Sequence, residues 1–203
     1  MAVDLSKFNV PGGSTGVLVQ PKLSYRFRVV FNNFGNGDTL ELTSQVVSAT
    51  RPSVTHDDIT VDVYNSRIFL AGKHTWDPIT VTVKDDVTGK VALAIASQMQ
   101  KQVDHANQAS ATSGIGYKFG MTITNLDGGN GSEQPLDYWE LAGCYIQNVN
   151  YGENNYSTSD PLNITIAIKF DNANHNVMGT DALTMGTVDA TGGPASGGTA
   201  PGA

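Results

Sequence analysis

"RIFLAGKHTWDPITVTVKDD", residues 67 to 86, decides the fold. In its second half Ile79, Val81 and Val83 alternate with Thr80, Thr82 and Lys84. That is the period of a strand with one buried face. Its first half sets Arg67, Lys73, His74 and Asp77 around Gly72 and Trp76. Ile68 to Leu70 reads as a short strand, and Gly72 as a turn between strands. Such a stretch suits the rim of an active site, a nucleotide loop, or a surface that meets another protein.

The same period recurs on both sides. Upstream, Ser24 to Phe31 is a predicted strand with Tyr25, Phe27 and Val29 on one face. The turn-forming run 32–38 and a second alternating run, 39–47, complete a predicted hairpin. Residues 48–58 contain Pro52 and read as a loop; Ile59, Val61 and Val63 then alternate with Thr60, Asp62 and Tyr64. Downstream, Ala92, Ile95, Met99 and Val103 recur at helical spacing, flanked by Val91 and Ala96, behind Thr88 as an N-cap. The helix is expected over about residues 89–107. Strands follow at 117–124, at 140–151 with a bulge near Gln147 and Asn148, and at 163–170, where Ile164, Ile166 and Ile168 oppose Thr165, Ala167 and Lys169. About eight strands and one helix imply a mainly β fold, an antiparallel barrel or sandwich with a flanking helix. The expected division is an arm at 1–20, a β domain at 21–171 and a Gly/Ala/Thr-rich tail at 172–203.

Composition agrees. The 203 residues include 22 glycines, above the usual share of about 7%. Charged residues are 15%, against about 25% in a typical soluble domain. The net charge of −7 argues against a strong nucleic-acid binder, since that affinity comes from Lys and Arg displacing counterions from phosphates. The single cysteine, Cys144, excludes an intrachain disulfide and a thiolate cluster, and its apolar strand makes it a core residue. With no signal-like run at the N-terminus and no apolar stretch of spanning length, the chain is expected in a reducing cytoplasm, with no insertion into a membrane.

No constellation carries catalysis. "AGKHT" lacks the Gly five residues before Gly72, where Arg67 stands, and the Ser or Thr directly after the Lys that a phosphate cradle needs. His56, His74, His105 and His175 include no pair at metal-ligand spacing. Asp57-Asp58 and Asp85-Asp86 are neighbours, and neighbours on a strand face opposite ways. No Gly-x-Ser-x-Gly elbow is present. The chain is therefore expected to be neither an enzyme nor a holder of a cofactor or metal. Tyr64, Trp76, Tyr138 and Trp139 leave a carbohydrate platform open as a minor alternative.

In order, "VVSATRPSVTHDDITVDVYNSRIFLAGKHTWDPITVTVKDD", the helix, and "YWELAGCYIQNVNYGENNYSTSDPLNITIAIKFDN" resemble the tail tube proteins of contractile-tailed bacteriophages. The features are an Ala-Thr-x-Pro loop, an Ala-Gly turn, a Thr-aromatic-Asp, a Thr-Val-Thr-Val strand ending in an acidic pair, and a final hairpin. They cover about residues 20–171.

The resemblance implies a β-barrel or sandwich with a flanking helix. It also implies homohexameric rings stacked into a tube inside a sheath, with baseplate and terminator partners. Genomic DNA would pass transiently and non-specifically down the bore, in a virion assembled in the host cytoplasm. Same-fold alternatives are a baseplate tube initiator and a type VI secretion tube. The lumen strands implied are 39–47, 59–65, 141–150 and 162–170, whose polar faces offer Glu41, Thr43, Asp62, Gln147 and Thr165 as bore residues, with Lys169 against the trend. Arg51, Pro52, His56, Asp57, Asp58, Arg67, Lys73, His74 and Asp77 are the expected contacts between subunits or rings.

Overall fold

The computed structural model describes residues 22–35, 40–127, 135–157 and 159–177. The expected arm at 1–20 and the tail from 178 onward lie outside them. The elements, in chain order, are β1 (Phe27–Asn32), α1 (Leu40–Ser44), β2 (Val46–Ala49), β3 (Val54–Val63), β4 (Ser66–Trp76), β5 (Ile79–Lys84), α2 (Lys90–Gln102), β6 (Val103–Asp104), β7 (Ala109–Ser110), β8 (Phe119–Leu126), β9 (Pro135–Asn150), β10 (Asn163–Lys169) and β11 (Asn172–Val177).

One antiparallel sheet runs β1-β8-β9-β10-β5-β2, with β11 also on β9. Its strands turn alternate residues inward. Val29 and Phe31, Val81 and Val83, Met121 and Ile123, and Ile164, Ile166 and Ile168 are all buried. The sixteen-residue β9 is the spine. Its first part pairs with β8 and β11, its last part with β10. The chain bends where these parts meet. Gly143 there has φ +68°, and a Cβ on it would collide with the Asp171 carboxylate. The Asp171 carboxylate instead accepts from Lys118 Nζ at 2.5 Å. The expected bulge is present: Ala167 pairs with Asn148 and Ile168 with Ile146, leaving Gln147 over.

Helix α2 covers the core with Val91, Ile95 and a fully buried Gln98. Gln98 accepts from the Gly35 N–H at 2.9 Å and donates to the Tyr117 carbonyl. Gln102 accepts from the Ile146 N–H and donates to the Ile146 carbonyl, both at 3.0 Å, beside the bulge. Two polar side chains thus satisfy backbone groups that the sheet leaves open.

Six expectations are corrected. The run 39–47 is no strand of a hairpin with β1: residues 40–44 are helical, Leu42 is buried, and β1 pairs with β8. Short alternating runs do not distinguish a helical turn from a strand, and long-range pairing decided. The helix ends at Gln102 because the Asp104 carboxylate accepts from the N–H groups of Ala106 and Asn107 and builds a turn. Its N-cap is Gly89 at φ 70°, while Thr88 donates to Asp86. The loop expected over 48–58 becomes strand from Val54, and β4, expected to be short, has eleven residues. Residues 172–177, where periodicity fades, form β11 by pairing with 137–142.

Candidate functional site: an amphipathic ribbon beside an uncharged sheet face

Strands β3 and β4 pair with each other and with no other strand among the described residues. Every residue of β3 is exposed, and so is most of β4. The register sorts the two faces. One carries Thr55 opposite Thr75, then Ile59 opposite Leu70, Val61 opposite Ile68, and Val63 opposite Ser66. The other carries Val54 with Trp76, His56 with His74, Asp58 with Ala71, Thr60 with Phe69, and Asp62 with Arg67.

The first face is an apolar stripe. Ile59, Val61, Val63, Ile68 and Leu70 remain 41–52% exposed. Full burial of such a side chain is worth about 1.5–3 kcal/mol, so the half left in water is worth roughly 1 kcal/mol for each. A lone two-stranded hairpin is at best marginally stable in water.

A bulge shapes the root of the ribbon. Between the His56–His74 and Asp58–Ala71 pairs β4 carries one more residue than β3. A Cβ on Gly72 would lie 2.8 Å from the Asp57 carbonyl oxygen, so the crossing admits glycine only. Gly72 therefore serves a bulge inside a strand, where a turn between strands was expected. Beyond it the chain is fastened: Ser53 Oγ donates to Asp77 Oδ2 at 2.7 Å, and the Asp77 N–H to the Ser53 carbonyl at 3.0 Å. Trp76 packs edge-on to Trp139 at 6.4 Å and tilted on Phe170 at 5.6 Å. Its Nε1 is buried with no hydrogen-bond partner.

The nine expected contact residues gather on this feature. Arg51 and Pro52 lead into it; His56, Asp57 and Asp58 lie on β3; Arg67, Lys73 and His74 lie on β4; Asp77 closes its root. The expected bore residues do not gather. Asp62 is on the ribbon, where it accepts from Arg67 Nε at 2.8 Å. Glu41 and Thr43 are on α1, off any strand face. Gln147 is exposed at the bulge and Thr165 is half-buried on the outer face of β10.

That outer face is uncharged along its middle. Thr82, Thr165 and Asn150 form one cross-strand row; Thr80, Ala167 and Asn148 form the next. Lys84 and Lys169 flank the rows, and β5, β10 and residues 145–150 contain no acid. The sheet also ends in two unpaired edges among the described residues, since β1 meets only β8 and β2 only β5. A groove of about 750 Å³ lies between them, lined by Tyr25, Phe27, Val46 and Arg51 among others.

Opposite the ribbon root lies a buried carboxylate. Asp137 accepts from Lys22 Nζ at 2.6 Å and from the amide of buried Asn125. His175 Nε2 is 3.5 Å away and makes no hydrogen bond, while its ring stacks on Trp139 at 4.1 Å. Burial pushes this carboxyl upward, but the Lys22 and Asn125 donors outweigh it and hold it below its ordinary value. Cys144 is core, as expected, and burial pushes its thiol up to about 12.

Among the described residues, no three His, Cys, Asp or Glu side chains are placed to hold a metal together. Trp76 and Trp139 spend their faces on each other and on Phe170 and His175. Tyr64 sits at the ribbon tip, roughly 35 Å of extended strand from Trp76 at about 3.3 Å per residue. No helix among the described residues is long and apolar enough to cross a membrane.

The fold is shared with solved chains from sheath-tube, cap and baseplate assemblies. The chain superposes on a protein from the sheath-tube complex of an extracellular contractile injection system, PVC, in its extended state: TM-score 0.57, 14% identity, covering 87% of this chain and 99% of that one. It also matches a chain of the anti-feeding prophage tube-terminating cap at TM-score 0.59 and 14% identity, covering 79% and 94%. A chain of the anti-feeding prophage baseplate matches at 0.54 and 16%, covering 77% and 96%. No protein-family model matches the sequence, and no curated protein sequence does.

Proposed function

We propose that this chain is the inner-tube subunit of a contractile tail or injection machine. Copies close into hexameric rings, and rings stack into a hollow tube within a sheath, between a baseplate and a terminator. The observation that carries the reading is the β3–β4 ribbon. A sheet of this size gains nothing from projecting two long strands with an apolar face into water. A neighbouring copy that covers Ile59, Val61, Val63, Ile68 and Leu70 removes that penalty. The edges at β1 and β2, unpaired among the described residues, point the same way, because a monomer must protect such edges and a closed ring pairs them. The orphaned Trp76 indole N–H adds a donor at the ribbon root that a neighbour's carbonyl would satisfy.

The Thr/Asn face of β5, β10 and β9 is the surface we assign to the bore. Non-specific DNA binding at Kd of about 10⁻⁴ to 10⁻⁶ M would, repeated at every ring, impede transit. An uncharged hydroxyl and amide surface releases no counterions from the phosphates, and that release is the source of such affinity. Thr165 and Gln147 remain bore residues in this reading; Glu41, Thr43 and Asp62 do not. The role is structural and not enzymatic, in a virion or virion-like particle assembled in the producing cell. A baseplate or cap ring is the second reading, favoured by the matching chains from those assemblies. Native mass spectrometry tests the proposal: a six-copy species supports it, and a monomer across the concentration range contradicts it. Long stacks of identical rings in the particle favour the main tube over a single baseplate or cap ring.

A further inference from the structure

The sequence separates His56 and His74 by eighteen positions, which hides them from any search for ligand spacing. The ribbon register places them directly opposite each other on one face. Their ring centroids are 6.0 Å apart, with the planes inclined by 57°. We propose that this pair is a binding site for a divalent cation of the zinc, nickel and copper class, held by one imidazole nitrogen from each strand.

The geometry suits such an ion. A metal–nitrogen bond of about 2.0–2.1 Å puts each ring centre roughly 3 Å from the metal, so two rings sharing one ion lie roughly 5–6 Å apart. The observed separation falls at the upper end, and exposed side chains on a ribbon close the rest by small rotamer shifts. Both rings are exposed, and among the described residues neither makes a hydrogen bond that would compete for its nitrogen. Imidazole is the ligand this metal class prefers. Asp58 lies on the same face, one pair further along, and the ribbon root also carries Asp57 and Asp77 against Arg51 and Lys73. The local field therefore favours a positive ion. With two protein ligands, the remaining positions go to water or to a donor from another chain.

An ion here ties β3 to β4 next to the Gly72 bulge, where the ladder is interrupted, and so stiffens the ribbon root. The proposal rests on the ribbon geometry alone and stands whether or not the chain forms a tube.

The test uses Trp76 as reporter, because its ring lies 6.1 Å from that of His74. Titrating the full-length protein with Ni²⁺ should quench tryptophan fluorescence saturably at one site per chain, and Zn²⁺ should restore it by competition. His56→Gln and His74→Gln should each weaken the apparent affinity at least tenfold. His105→Gln, on the exposed turn after α2, should leave it unchanged. Circular dichroism melts should show all three variants folded like the parent, since the three histidines are exposed. Quenching that does not saturate, that survives His56→Gln, or that falls equally in His105→Gln overturns the proposal.

Discussion

Replacing Val61 and Ile68 together by threonine changes what the apolar ribbon face can bury and leaves the rest of the subunit alone. The two residues are cross-strand partners, 41% and 50% exposed. Threonine keeps the β-branch that the ribbon needs. Because both side chains already touch water in the single subunit, its own stability should move by no more than about 0.5 kcal/mol, as for other surface changes. At a contact between copies the cost is different. Each hydroxyl buried without a partner costs about 1–3 kcal/mol, and Ile68→Thr loses a further methylene at about 0.8 kcal/mol. Even the low end of that sum, about 3 kcal/mol, weakens association on the order of 100-fold, at 1.4 kcal/mol per factor of ten. Sedimentation velocity over a concentration series measures this directly, with thermal melting of the dispersed subunit as control. The reasoning is refuted if the variant assembles at parental concentrations. It is refuted equally if its subunit melts several degrees lower, because the stripe would then be supporting its own domain.

Four further outcomes follow from named contacts. Gln98→Leu strands the Gly35 N–H and the Tyr117 carbonyl in the core; urea unfolding should show a loss of about 2–6 kcal/mol at 1–3 kcal/mol per orphaned group. Gly143→Ala must hold φ +68° and displace the Asp171 carboxylate, for a loss of about 2 kcal/mol or more; adding Asp171→Ala should recover the steric part only. Asp137 titrates below its ordinary value of 3.8 when folded, so its contribution is fully present above that value and lost as pH falls through the lower folded one. Denaturation curves between pH 6 and pH 2 should therefore steepen at the acid end in the parent and flatten in Asp137→Asn. Cys144, buried and with its thiol pushed up to about 12, should resist a disulfide reagent at pH 8 until denaturant is added; prompt reaction in the folded state would refute its burial.

Much of this was legible in the sequence, and what was not has physical causes. Strands β5, β8 and β10 announce themselves because one face of each is buried by aliphatic residues at period two. The bulge at Gln147 was visible as a break in that phase. Residues 40–44 were misread because five residues with two leucines fit either period. Strand β11 was missed because Asn172, Asn174 and Asn176 carry no apolar signal, and only pairing to β9 makes it a strand. Gln98 and Gln102 were passed over because burial of an amide is decided by which backbone groups it meets, which composition does not record. The residues expected as contacts, around 51–77, fall on one ribbon because polar and aromatic side chains crowd a stretch that also alternates. The His56–His74 pair was invisible, since it exists only through the register of β3 on β4.

Electron microscopy of the assembled protein bears most directly on the idea that copies of this chain bury one another's ribbons. The account predicts a hollow cylinder of sixfold rings, with the β3–β4 ribbon of each copy lying against another copy and the Thr82, Thr165 and Asn150 row facing the bore. Compact single subunits at high concentration, or rings in which the ribbon projects uncovered into solvent, would contradict it.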